Sequence, residues 1–163
     1  MRNCSPGWQG RVRGQVIVLF AVLVPVMVLF FLFALSLAAL HDVRAHAAYA
    51  LGVATRAGAR QVEYHAYGEP DLAFVRDAVS ETVRVVFSEG LALRPAGLAE
   101  SPQAIADHTE VAVGYGSPLH PWYSPFVPDR PHHHPTVAAR AHVPVRVWWF
   151  DLTLTVLSET EVK

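Results

Sequence analysis

Residues Gln15 to Leu40 read QVIVLFAVLVPVMVLFFLFALSLAAL and contain no charged side chain. As an α-helix this stretch would be roughly 39 Å long, which exceeds the bilayer's hydrocarbon core of about 30 Å, so it can span with some tilt. The apolar region of a cleaved secretory signal is shorter, about 7 to 15 residues. The sequence therefore favours a retained single-pass anchor in the lipid bilayer, with a transmembrane helix over 15–40, above a cleaved signal.

The residues before this run indicate its orientation. Residues 1–14 contain Arg2, Arg11 and Arg13 and no acidic side chain. Short positively charged segments beside a span stay in the cytoplasm. We therefore predict a cell-membrane protein with a cytoplasmic N-terminal leader over 1–14 and an extracytoplasmic C-terminus.

Composition limits what the rest of the chain can be. Residues 41–163 are enough for one small domain. The formal net charge is −1, no basic cluster follows the apolar run, and nucleic-acid binding is therefore disfavoured. The only cysteine, Cys4, precedes the run, so an internal disulfide beyond the membrane is not expected.

Helical character continues past the apolar run. Residues 41–66 are rich in alanine and contain no proline, which predicts an extracytoplasmic continuation of the same helix. Small residues recur every four positions in two rows, and such rows allow close helix packing. Alternatively, alanine is present only because it is a good helix former. The candidate packing residues are Ala34 and Ala38 in the first row, and Ala50, Ala54 and Gly58 in the second.

The segment 67–163 is predicted to be a small α+β ectodomain. A turn at 67–70 should end the long helix, and Pro70 with Asp71 should open a second, amphipathic helix that runs to about Glu89, before Gly90 and residues 94–97 break the pattern. One apolar face of this helix should pack on a core, while its charged side chains point outward. The face comprises Leu72, Val75, Val79, Val83 and Val86, and the outward charges are Arg76, Asp77, Glu81 and Arg84.

Apolar and polar residues alternate with a period of two in three later segments, which predicts a small antiparallel sheet. The segments are 109–115, 137–149 and 152–156. Pro144 lacks an amide donor, so the second strand should lie at an edge, or pair with Pro144 facing away from its neighbour.

Six prolines between 117 and 135 predict a long extended loop without regular structure. Trp122, Tyr123 and Phe126 give it aromatic surface, so it is either a solvated insertion or a contact surface. His132, His133 and His134 are weak candidates for a metal site, because adjacent histidines in an extended loop project in different directions. We expect no metal and no cofactor.

Two motifs resemble the TadE/TadG-like proteins of the tight-adherence (Flp-type) pilus assembly system. Residues 13–25, RGQVIVLFAVLVP, are similar to the start of these proteins, where a basic residue and glycine precede a short apolar run, glutamate, phenylalanine, alanine and proline. Residues 54–60, ATRAGAR, are similar to their A-x-R-x-G-A-R signature. The resemblance covers roughly the first sixty-five residues and does not include the proline-rich loop.

The resemblance implies a pilin-like protein whose leader a prepilin peptidase cuts between Gly14 and Gln15, and whose helix packs with other pilin-like subunits. The family glutamate falls on Leu19 here. In pilins that carboxylate is thought to pair with the new terminal ammonium group. Cleavage at Gly14 and an uncleaved, membrane-bound accessory protein therefore both remain open.

No catalytic motif stands out, so we predict that the protein is not an enzyme. The first hypothesis is a minor-pilin or pseudopilin-like component that helps to assemble a type IV-like pilus or a related secretion apparatus. The alternative is a signal-anchored binding module that uses the proline, aromatic and histidine loop. A third, weaker hypothesis is an exported enzyme.

Overall fold

The computed structural model describes residues 7–65, 72–148 and 150–162, and within them the side chains of 17–61, 76–148 and 150–162. It confirms the predicted α+β class. A long N-terminal helix, α1 (Gly7–His65), is followed by α2 (Leu72–Ala92), by a short helix, α3 (Pro102–Asp107), and by small antiparallel sheets.

Helix α1 is 59 residues long and has Pro25 inside it. It begins at Gly7, so the second half of the predicted leader, including the Gly14–Gln15 bond, is also helical. Contacts divide the chain into two compact units between Ala39 and Leu40. The part of α1 that follows this division belongs to the same unit as α2 and the sheets, so it is part of the small domain and not a separate stalk.

Helix α2 extends past Gly90, where the sequence predicted a break. The physical reason is a close helix crossing: a Cβ atom on Gly90 would lie 2.8 Å from Ala50 Cβ on α1. Glycine therefore serves at this position as a point of close approach and not as a helix terminator. The predicted turn at 67–70 and the opening at Pro70 and Asp71 lie outside the described residues.

One face of α2 is buried at intervals of four residues, through Val79, Val83, Phe87 and Leu91. Val86 is partly buried beside them. Among the side chains predicted to point outward, Arg76, Asp77 and Glu81 are exposed, whereas Arg84 is partly buried and its Nε atom is buried without a hydrogen-bond partner. Leu72 and Val75 lie outside the described side chains.

The main sheet contains β1 (Glu110–Tyr115), β4 (Pro135–Val147) and β5 (Phe150–Glu161), in the order β1-β4-β5. Both pairs are antiparallel. The predicted strands are confirmed, although β5 continues five residues beyond the predicted end at Val156. Two short strands, β2 (Trp122–Tyr123) and β3 (Pro131–His132), pair separately in the intervening loop.

The edge position suggested for Pro144 is wrong, because β4 is the central strand. Strand β1 pairs only as far as Arg140, and beyond it the segment before α3 lies alongside β4 instead. The carbonyl of Pro144 accepts a hydrogen bond from the Ala99 amide on that side, at 2.9 Å. In an antiparallel strand the N and C=O groups of a residue point to the same side, so the nitrogen of Pro144, which cannot donate, faces away from β5. This agrees with the alternative prediction that Pro144 faces away from its neighbouring strand.

The core lies between the inner face of the sheet and the two long helices. Alternate residues of β4 point into it, in the register that the sequence predicted. The short helix α3, which the sequence analysis did not predict, adds Ile105 to this core. Its start has a recognisable signature, since Ser101 caps the Ala104 amide and Pro102 occupies the first turn. The buried β4 side chains are Val137, Ala139, Ala141, Val143 and Val145.

Candidate functional site

The first functional feature is the exposed apolar segment of α1. Most large apolar side chains from Ile17 to Leu37 are about half to seven-tenths exposed, and the most apolar part of the helix has no buried residue. Within the described residues this is the one helix that is long and apolar enough to cross a membrane. By length, composition and position it fits a single membrane span or a signal sequence.

The two predicted rows of small residues have different environments. Ala34 and Ala38 are exposed, and so remain available to another helix. Ala50 and Ala54 are buried within the small domain. A Cβ atom on Gly58 would lie 2.9 Å from Val83 Cγ2 of α2. The second row therefore serves to pack α1 on its own domain, and this surface is not open to other subunits.

The proline-rich loop is a folded layer on the outer face of the sheet, so the prediction that it lacks regular structure is wrong. Strands β2 and β3 pair through Trp122 with His132 and Tyr123 with Pro131. The indole of Trp122 lies directly over Gly114 of β1, where a Cβ atom would overlap the ring. The prolines forbid a continuous ladder, but they leave donors enough for two residues on each side of a hairpin.

The three predicted contact residues of the loop are used differently. Trp122 is half buried against the sheet, and the Arg140 guanidinium lies 5.0 Å from the centre of the Phe126 ring, in a cation–π arrangement. Tyr123 is 52% exposed and Leu119, which was not singled out from the sequence, is 86% exposed. Of the three residues, Tyr123 therefore keeps most surface for a partner.

His132, in β3 of this loop, is fully buried between two glutamates of β5. Its Nδ1 atom donates a hydrogen bond to Glu161 Oε1 at 2.8 Å. Its Nε2 atom lies 3.3 Å from Glu159 Oε2, but the angle between them is unsuitable for a hydrogen bond. The His132 Nε2 and Glu159 Oε1 atoms are both buried and have no hydrogen-bond partner. The Trp122 ring, 5.8 Å away and tilted by 41°, closes the site from above.

Electrostatics favour this arrangement. The hydrogen bond from His132 holds the pKa of Glu161 below its ordinary value, against the opposing effect of burial, and the positive charges of His132, Arg130 and His134 lower it further. Arg130 also lies 3.9 Å from Glu159 Oε2 at the rim. The cluster therefore ties the loop to the last strand, and its chemistry is that of a structural clasp.

The other two histidines of the triplet, His133 and His134, are exposed. No group of three or more His, Cys, Asp or Glu side chains in the described part of the chain could hold a metal ion. The absence of a metal, a cofactor and an enzymatic activity stays a prediction.

Sequence reasoning missed Glu159 and Glu161 as partners of His132. A signal was present, because Leu157, Glu159 and Glu161 continue the alternation of β5 on its outer face. The predicted strand ended at Val156, so Glu159 and Glu161 were not considered as part of it. Their meeting with His132 depends on the fold of the loop, which no local pattern indicates.

Comparisons with protein-family models, with curated proteins and with solved structures find no match to this chain. Its function is therefore inferred from its own residues and geometry.

Proposed function

We propose that the protein is a single-pass, TadE-like, pilin-like membrane component that contributes to assembly of a tight-adherence, type IV-like pilus or a related secretion apparatus. One observation carries the proposal: a single helix is apolar and exposed in its first part and packed into a small α+β domain in its second. This division of one helix between an apolar environment and a domain core is consistent with a pilin-like fold.

In this proposal the N-terminus is cytoplasmic, the small domain is extracytoplasmic, and the apolar segment contacts lipid or other pilin-like subunits. The arginines before the segment support the orientation. Ala34 and Ala38 are the small residues that remain exposed there, so they are the packing positions we assign to contacts between subunits.

Processing is tested by the intact mass and N-terminal sequence of the membrane-extracted protein, made in its own host with and without the prepilin peptidase. If peptidase-dependent processing leaves Gln15 first, the pilin-like route holds although Leu19 replaces the family glutamate. If Met1 or Arg2 remains first in both strains, the chain is an uncleaved membrane protein, and the proline-rich loop becomes the better place to look for its function.

Packing between subunits is tested by combining Ala34→Leu with Ala38→Leu and measuring cross-linked oligomers in the membrane. The double variant should lose them, because the added bulk prevents close helix approach. Ala21→Leu is the control, since it makes the same kind of substitution once in the same apolar segment, about 140° around the helix from Ala34. Equal oligomer yields from the double variant and the control would contradict packing through this row.

A second candidate function, a membrane-anchored binding module, has one observation in its favour. Leu119 and Tyr123 present exposed apolar surface on a loop that is held against the sheet, so binding would cost little ordering entropy. Replacing both by serine should then reduce recovery of a partner, while Tyr49→Ser, which removes an even more exposed tyrosine from α1, should not. Unchanged recovery from the double variant argues against this function.

A further inference from the structure

Exposed large apolar side chains occur at two loop tips of the small domain. Leu93, in the connection between α2 and α3, is 80% exposed. Trp148 and Phe150, at the turn between β4 and β5, are 50% and 44% exposed. Trp148 also has φ 58, a left-handed conformation that bulky residues rarely adopt, so the turn holds an aromatic residue where glycine or asparagine would be less strained.

The connection that carries Leu93 is adjacent to the first residues after the apolar run. Arg94 Nη1 lies 3.8 Å from Asp42 Oδ1 on α1. A Cβ atom on Gly97 would lie 3.3 Å from Val43 Cγ2, and the Gly97 carbonyl accepts the Arg146 amide at 2.9 Å. The connection thus contacts α1 on one side and the end of β4 on the other, which places the β4–β5 turn at the same end of the domain.

The chain itself limits how far this end can be from a membrane. Asp42 follows Leu40 by two residues, or about 3 Å of helical rise. The headgroup region adds roughly 5–7 Å to each side of the hydrocarbon core. If residues 15–40 span the bilayer, as the proposed function requires, Asp42 and the Arg94 beside it therefore lie at headgroup level.

The chemistry of these tips suits that level. Tryptophan is enriched at membrane–water interfaces, and arginine and leucine together can contact phosphate and the first acyl carbons. Arg94 faces Asp42, and Arg146 donates to Asp151 Oδ1 at 3.0 Å, so the local positive charge is largely balanced. The attraction expected here is that of apolar and aromatic groups for the interface, with little preference for anionic lipid.

We propose that the end of the domain formed by Leu93, Arg94, Trp148 and Phe150 rests in the phospholipid headgroup layer of the bilayer that α1 spans. A cavity of about 330 Å³ opens at the same end and is lined by Asp42, Val43, His46 and the residues around Leu93. Contact at these tips would fix the orientation of the domain against the membrane surface. This inference rests on the proposed membrane span.

The test uses the full-length protein with Cys4 replaced by serine, reconstituted in phosphatidylcholine vesicles. Single cysteines at Leu93→Cys and Trp148→Cys carry an environment-sensitive fluorophore, and lipid-borne nitroxides near the headgroup act as quenchers. Leu119→Cys is the matched control, because Leu119 is as exposed as Leu93 but lies in the loop at the other end of β4. Leu29→Cys, with a quencher deep in the acyl chains, reports the span itself.

The expected result is a blue shift and strong quenching at 93 and 148, none at 119, and deep quenching at 29. If the fluorophore at 93 or at 148 is neither quenched nor blue-shifted while the one at 29 is quenched, the membrane span stands but the headgroup contact is overturned. Equal quenching at 119 also overturns it, because the domain would then adsorb without a preferred end. If the fluorophore at 29 is not quenched by the deep quencher, the membrane span is overturned, and with it the proposed function on which this contact depends.

Discussion

At the scale of single residues, His132 is notable because it is buried between two acidic side chains. It is fully buried, and its imidazole has two carboxylates within 3.3 Å, at Glu159 and Glu161. Burying two acids side by side is unfavourable unless a donor lies between them. The adjacent His133 is exposed and provides a control of the same residue type.

Replacing His132 by alanine should lower the free energy of unfolding by about 1–3 kcal/mol, because both carboxylates lose their buried partner. His133→Ala should change it by less than about 0.5 kcal/mol. Chemical denaturation of the two variants in the same detergent measures the difference. Two variants of equal stability would mean that the clasp does not hold the loop.

The same cluster predicts a dependence of stability on acid. Because the pKa of Glu161 lies below its ordinary 4.5 in the folded protein, the folded state binds that proton less readily than the unfolded chain does. The stabilisation is therefore complete above 4.5 and is lost as the pH falls through the lowered value. The unfolding temperature should fall over this range, and the Glu161→Gln variant should show a shallower fall. Parallel curves for the two proteins would rule out this contribution.

At the scale of secondary-structure elements, the decisive contact is the crossing of α1 and α2. Gly90 of α2 contacts Ala50 of α1 there, and Gly58 of α1 contacts Val83 of α2. Each helix therefore contributes a glycine at which the other helix approaches closely. Pro144 is the corresponding case in the sheet, because a central strand accommodates it where its neighbour β1 has already ended. In both cases a residue type that usually breaks regular structure is accommodated. Gly90 allows two helices to approach closely, and Pro144 lies where β4 has no β1 neighbour to accept a hydrogen bond from its nitrogen.

A pair of glycine variants separates helix propensity from packing. Gly90→Ala should lower the unfolding free energy by about 1–3 kcal/mol, since its Cβ would lie too close to Ala50. Gly52→Ala should raise it by about 0.5–1 kcal/mol, because its Cβ meets only ordinary contacts at 3.7 and 3.8 Å. Thermal unfolding of both variants measures these shifts. A stabilised Gly90→Ala protein would contradict the close crossing.

At the scale of the whole molecule, the buried cluster that holds the small domain together includes residues from α1, α2, α3 and the sheet. Within the described residues, all of its fully buried members lie between Ala47 and Val156. None comes from the exposed apolar segment. The domain therefore depends on the outer half of α1 and not on the part before the division at Leu40.

This predicts that a chain beginning at His41 folds without the apolar segment and unfolds cooperatively on heating. A chain beginning at Gly68 should not, because it lacks Leu51, Ala54 and the rest of the α1 face that covers the sheet. Circular dichroism with temperature distinguishes the two. A cooperative transition in the shorter chain would mean that the helix over 41–66 and the domain over 67–163 are separate, as the sequence first suggested.

The sequence by itself determined the features that depend on neighbours along the chain. An uncharged run of twenty-six residues and an alanine-rich continuation specify a long helix, and a period of two specifies the strands, because both patterns follow from backbone geometry. Only the tertiary structure decided which partner each surface meets. The row through Ala54 and Gly58 packs on α2 of the same chain, Pro144 lies in a central strand, and His132 meets Glu159 and Glu161 across 27 and 29 positions. Such long-range contacts depend on how complete elements pack together, and no local period encodes that.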